Sequence, residues 1–227
     1  MEAMTVLFFF GVAALVIGLA VYGIIAAQRR KKDLAALAAE WGFSWDDDDP
    51  FGIEERYGEF HAIDRGHGRR AYNVFHGERN GCGVICFDYR YRTGSGKNQS
   101  THHLSGAILD LGVRTPRLFI RPEGFLDKIA EFVGMDDIDF ESAEFSRKFY
   151  VTSDNRKFAF DVFHARAMEY MLALPHGYTM ELNGGLVMVH DDRTWEPAEF
   201  DDAVRQVEGL VALFPEYLQR ALKEGTV

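Results

Sequence analysis

The sequence predicts an α+β fold: an N-terminal transmembrane helix, then an antiparallel β-meander with helices packed on one face and a long C-terminal helix. Three observations predict it. The run from Thr5 to Ala27 carries no charge and ends in Arg29, Arg30, Lys31 and Lys32. Between Tyr57 and Arg121, short aromatic and β-branched stretches alternate with glycine clusters, the pattern of strands and turns. After Pro197, the residues Phe200, Val204, Val207, Leu210, Val211 and Phe214 recur at helical spacing.

At 1.5 Å per residue, Thr5–Ala27 is roughly 34 Å long, enough to cross a ~30 Å hydrocarbon core. A cleaved signal peptide competes with this reading. It needs a basic start and a small-residue cleavage site, whereas this terminus holds Glu2 without Lys or Arg and its apolar run leads straight into four cations. The positive-inside rule makes Arg29, Arg30, Lys31 and Lys32 the membrane-flanking residues on the cytoplasmic side. The expectation is a signal anchor, single-pass in the cell membrane, with Met1 outside and the remainder in the cytoplasm.

Small residues at Ala13, Ala20 and Ala27, and the pairs Ala14/Gly18 and Gly23/Ala27, permit close helix–helix approach. A homodimer through this helix stands against a monomer facing only membrane lipid. Leu34, Leu37, Ala38 and Trp41 continue at helical spacing, predicting a stalk helix that stops near Gly42. The organisation read from the chain is anchor and basic flank over 1–32, stalk and acidic linker over 33–50, and a domain over 51–227. Subdomains 51–135 and 136–227 are the alternative to one unit.

The whole chain carries −10; four cations against Glu2 make the first 32 residues +3, so the rest carries −13. A charge of that sign repels phosphate backbones, which excludes nucleic acid, and repels anionic headgroups. The expected partners are membrane lipid, through the helix, and a protein, with basic charge favoured by steering.

Strands are expected near Tyr57–Ile63, Arg70–Glu78, Gly83–Thr93, Thr101–Gly112 and Arg117–Arg121, with a further strand over Phe145–Thr152. Asn80-Gly81 is a two-residue turn signal. It predicts Val74 opposite Phe87, Tyr72 opposite Tyr89 and His76 opposite Ile85. The next connection predicts Tyr91 with His103, Tyr89 with Ser105, Phe87 with Ala107 and Ile85 with Leu109. Ile85, Phe87, Tyr89 and Tyr91 then share the main buried face, and Cys86, Asp88, Arg90 and Arg92 the face partly open to water. Helices are expected over Gly124–Gly134, within Phe158–Ala173 and from Pro197, breaking near Pro215. A second hairpin is expected around Asn183-Gly184.

No catalytic, cofactor-binding or metal residue is assigned. Thr93-Gly-Ser-Gly-Lys-Asn lacks the first glycine of a phosphate loop and the helix that should follow. Adjacent His102 and His103 point to opposite faces of a strand, and His61, His67 and His76 have no carboxylate or cysteine at ligand spacing. Cys82 and Cys86 are too far apart on a strand, at about 13 Å, to pair with each other. Cys86 and Asp88 with a nearby histidine form the sole arrangement resembling a nucleophile site.

Several stretches carry a resemblance: Tyr72-Asn-Val-Phe-His-Gly, Val84-Ile-Cys-Phe-Asp-Tyr-Arg-Tyr, Pro116-Arg-Leu-Phe-Ile-Arg-Pro-Glu and Phe145-Ser-Arg-Lys-Phe-Tyr-Val-Thr-Ser-Asp-Asn, followed by Phe158-Ala-Phe-Asp. From Trp41 to Pro215 the chain resembles a family of uncharacterised bacterial single-pass membrane proteins, a domain of unknown function best represented in actinobacteria. Thr115-Pro116 stands where that family has Leu-Pro. The resemblance implies a membrane-tethered α+β domain and brings no activity. The functional expectation is a cytoplasmic interaction or sensory domain without catalytic activity or cofactor. A small-ligand module between sheet and helices is the alternative, and a membrane-bound hydrolase comes third.

Overall fold

The computed structural model describes residues 2–123 and 137–227. The helix expected at 124–134 lies outside the described residues. The apolar run and the expected stalk form one continuous helix, α1 (Glu2–Trp41). Over Phe9–Trp41 it is long and apolar enough to cross a membrane. Its apolar side chains from Phe9 to Ile25 stand clear of the domain, whereas Leu34 and Ala38 are fully buried in the core. Gly42, at φ +71°, ends the helix where the sequence placed the stop.

Eight antiparallel strands form one sheet in the order β1-β2-β3-β4-β8-β7-β5-β6. They are β1 (Ser44–Asp46), β2 (His67–Arg79), β3 (Cys82–Thr93), β4 (Ser100–Asp110), β5 (Leu118–Pro122), β6 (Phe149–Ser153), β7 (Thr179–Asn183) and β8 (Leu186–Asp191). The sheet runs unbroken from residues of the acidic linker, in β1, to residues on both sides of position 135. Ser44–Asp46, just before Asp47–Asp49, pairs along His76–Val74.

The longer helices lie on one face, over a core that runs from Leu34 through Phe75, Cys86 and Phe158 to Leu222. They include α3 (Ala143–Lys148), α4 (Arg156–Val162), α5 (Ala165–Ala173), α6 (Pro197–Ala212) and α7 (Glu216–Glu224). Pro197 opens α6 behind a capping box of Glu196 and Glu199, and Pro215 separates α6 from α7, as the sequence predicts. Gly77 carries no side chain because a Cβ there would lie 2.3 Å from the Phe43 ring.

Five expectations are corrected. Tyr57–Ile63 is not a strand: α2 (Ile53–Arg56) and the turns after it bury Ile53, Tyr57, Phe60 and Ile63 against the second face of the sheet. Their spacing of three to four is that of turns and helix, not alternation. The first part of Phe145–Thr152 is helix α3, capped by Ser142, and only Phe149 onward is strand.

The hairpin register holds at His76↔Ile85 but slips by one at Tyr72↔Asp88, across a bulge at Asn73 (φ +50°), and by one more at His67↔Arg92. The β3–β4 register is displaced by one throughout, with Ile85↔Ile108 and Tyr91↔His102. Finally, the face carrying Cys86, Asp88, Arg90 and Arg92 is open only towards Arg90 and Arg92, and is closed at Cys86 and Asp88. Both residues are 0% exposed, because α1 and α6 cover them.

Candidate functional site at the base of the apolar helix

Arg30, Leu34 and Ala38 are spaced by four, so they form one stripe of α1. Because Leu34 and Ala38 are buried against the sheet, Arg30 must enter the same interface. It meets Asp88 on β3: Nε donates to Oδ2 and Nη2 to Oδ1, each at 2.7 Å. Nη1 donates to the Trp195 carbonyl at 2.7 Å. The Asp88 carboxylate accepts two more bonds, from Ser105 Oγ at 2.6 Å and Asn73 Nδ2 at 2.8 Å. A fully buried carboxylate with four donors is satisfied in charge and in lone pairs.

The bulge builds this site. In the left-handed conformation of Asn73, its backbone N–H bonds the Asp47 carbonyl at 3.0 Å while its amide is aimed at Asp88. Ser105 relays the network onward, accepting the Trp195 N–H at 3.0 Å. Below it, edge-on aromatic contacts link Trp41, Phe75, Phe200, Trp195 and Tyr178 at ring separations of 5.0–5.8 Å. Arg79 lies over the Trp41 ring at 4.7 Å and pairs with Asp201 and Glu208 of α6. Helix, sheet and α6 are thereby cross-tied at both ends of the contact.

The four cations assigned as membrane-flanking have different surroundings. Arg29 is exposed, 3.9 Å from Asp33, and Lys32 is exposed. Lys31 pairs with Asp47 at 2.6 Å. Arg30 is partly buried, turned into the contact between helix and sheet. The signal for it was present in the sequence: the Leu34/Ala38 stripe extended back by one turn falls on Arg30.

Next to Lys31 an open depression of about 310 Å³ is lined by Asp47, Asp48, Arg70, Tyr72, Arg90 and His103. Arg70 bonds Asp48, and the Tyr72 hydroxyl lies 3.1 Å from His103 Nδ1. Burial and the nearby Asp88 carboxylate push the Tyr72 phenol up to about 12, so it stays protonated. A second cavity, about 530 Å³, lies between β3–β4 and α6, lined by Cys82, Leu109, Glu208 and Val211 among others.

The opposite face of the sheet carries a second polar cluster. Glu181, 4% exposed, accepts the His61 backbone N–H at 3.0 Å and lies 3.8 Å from Arg117. Burial pushes its carboxyl up to about 7. Arg65 pairs with Asp192 at 2.5 Å, and buried His190 is held well below the usual histidine range by burial and by Arg65 and His61. His67 lies against Gln99, and His76 against Phe51 and Asp46, so the three histidines weighed together in the sequence do not converge. Cys86 lies opposite Phe75 and Ala107 in the sheet; burial pushes its thiol far up, the reverse of what a nucleophile needs.

The fold and this site define a class: an α+β domain fixed through a buried ion pair to a helix able to cross a membrane. No protein-family model matches the chain, and no curated protein matches it. Among solved structures it is similar to the crystal structure of the mycobacterial trehalose monomycolate transport factor A, TtfA. The TM-score is 0.61 over 82% of this chain and 96% of that one, at 16% identity. At that identity the likeness shows a shared fold. The neighbour is an actinobacterial protein, in line with the resemblance seen in the sequence.

Proposed function

We propose that this protein is a membrane-anchored, non-enzymatic accessory factor of a lipid-transport assembly. The observation that carries the reading is the Arg30–Asp88 lock. An enzyme tethered to a bilayer needs only a flexible leash. A domain locked to its helix instead presents its surfaces at fixed height and angle to whatever shares the membrane, which is what a partner-holding factor requires. The fold shared with the mycobacterial trehalose monomycolate transport factor A supports the transport role. The span is retained as a signal anchor, with the domain in the cytoplasm by the positive-inside rule. The domain's charge of −13 steers basic partner surfaces towards it.

The experiment is in-membrane photo-cross-linking from exposed Tyr217 of α7, with and without Asp88→Asn. A discrete cross-linked membrane-protein band that fades in the variant supports the reading. Turnover of a substrate by the purified full chain, abolished by Glu181→Gln, overturns it in favour of a hydrolase. The 530 Å³ cavity falls within the size range of ligand sites and supports the small-ligand alternative. That alternative requires a compound that co-purifies with the chain and is lost on Val211→Trp.

A further inference from the structure

The apolar run sets the depth of the depression beside Lys31. Lys31 follows Ala27 by four residues, or ~6 Å of helix. In a bilayer whose hydrocarbon ends at Ala27, that depth falls in the headgroup layer, roughly 5–8 Å thick on each side. The neighbouring strands run the same way. Trp41 lies against Phe75 and Arg79 of β2, and Arg30 against Asp88 of β3. Arg79 pairs with Cys82 at the other end of β3. Walking back along α1 towards the bilayer is therefore walking along β3 from Cys82 to Asp88. Beyond Asp88, β3 continues to Thr93, up to ~16 Å further along the strand, against the ~5 Å of helix from Arg30 to Ala27. The β3–β4 hairpin therefore has the length to reach the level of the headgroups even where the strand is well inclined to α1.

Its chemistry suits that level. In a chain of charge −10, residues 89–109 contain no Asp or Glu, and Arg90, Arg92 and Lys97 fall within them. These three have no acidic partner among the described residues, whereas Lys31 and Arg70 are held by Asp47 and Asp48 at the rim of the depression. The tip from Gly94 to Ser100 is exposed and has no large apolar side chain, so it is built for headgroups and not for hydrocarbon. The acidic average of the domain predicts repulsion from anionic lipid, but charges beyond a Debye length of ~10 Å are screened. The hairpin is what the leaflet meets.

We propose that the β3–β4 hairpin and the depression at its base bind the phosphate groups of anionic phospholipids, with Arg90, Arg92 and Lys97 as the engaging cations. The proposal rests on α1 crossing a bilayer, as the proposed function does, but not on its direction or on the transport role. Each basic side chain at an anionic surface strengthens binding about fivefold, three together about a hundredfold.

The test uses the full chain in nanodiscs of phosphatidylglycerol or phosphatidylcholine, read by amide hydrogen exchange over residues 93–99. Resistance of vesicle-reconstituted chain to alkaline extraction reports separately whether α1 is inserted. Exchange at the tip should be at least ~tenfold slower in phosphatidylglycerol, and Arg90→Gln/Arg92→Gln/Lys97→Gln should abolish the difference while exchange in the core stays unchanged. Equal exchange in the two lipids overturns the proposal, as does a difference that survives in the folded triple variant. Equal slowing by inorganic phosphate in phosphatidylcholine discs makes the site one for soluble anions and overturns the lipid assignment. Should the triple variant disturb the core, Lys97→Gln alone decides: it should lower the difference about fivefold, and no change overturns the proposal.

Discussion

Arg30 and Asp88, 58 residues apart in sequence, are joined by two parallel hydrogen bonds of 2.7 Å. The planar guanidinium matches the carboxylate along both bonds. An arginine that by composition belongs to a membrane flank thus becomes a partly buried tie between α1 and the sheet. Removing one member of such a buried pair strands the other charge, which costs ~3–5 kcal/mol. Asp88→Ala should lower the unfolding free energy of the full chain in micelles by that amount, and Arg29→Ala, on the exposed side, by under ~0.5 kcal/mol. Equal losses in denaturant titrations would show that the lock carries no stability.

Asn73 has two tasks, a left-handed backbone at φ +50° and a bond to Asp88. Asn73→Gly keeps the first and loses the second, costing ~1–3 kcal/mol for an amide–carboxylate bond. Asn73→Val loses both and adds the steric penalty of a β-branched residue in that region, a further ~1–2 kcal/mol. Thermal unfolding should rank wild type above Gly above Val. A valine variant as stable as the glycine one would mean that the bulge relaxes without cost.

Glu181 gives a pH dependence of definite sign. Its carboxyl is raised from 4.5 in the unfolded chain to about 7 in the fold. Its contribution is therefore fully present below 4.5 and lost as pH rises through 7. Glu181→Gln removes that loss. At ~1.4 kcal/mol per pH unit, the variant should gain up to ~3 kcal/mol on wild type above pH 7 and match it near pH 4.5. His190, lowered in the fold, acts the other way, with stability lost as pH falls below 6.5, but it is common to both proteins and cancels in the difference. A difference that is flat with pH contradicts the burial of an ionisable Glu181.

The two thiols should separate under a maleimide. Cys82 is partly exposed and Cys86 fully buried. Native chain should label at Cys82 alone, and Cys86 only after unfolding. Rapid labelling of Cys86 would reopen the nucleophile reading.

The limits of the sequence reading have identifiable causes. Strand β3, the Asn80-Gly81 turn and the break at Pro215 were legible because turn chemistry and proline act locally. The register beyond Tyr72 was not, because a left-handed asparagine inside a strand leaves no pattern that separates it from an ordinary strand residue. Asp88 and Cys86 read as an open face because the elements covering them, α1 and α6, come from opposite ends of the chain. The candidate site was half legible. The Leu34/Ala38 stripe points to Arg30, but its acidic partner follows only from the three-dimensional packing.

The central claim, that the apolar helix and the domain are one locked unit, is tested most directly by trypsin. Residues 29–32 offer four consecutive cleavage sites. In a leash they are cut at once; in a helix docked through Arg30 they are protected. With the full chain in nanodiscs, wild type should resist cleavage at these positions, and Asp88→Asn should be cut there at least ~tenfold faster, the ratio for 1.4 kcal/mol of weakened docking. Equal cleavage of the two proteins at residues 29–32 would contradict the account.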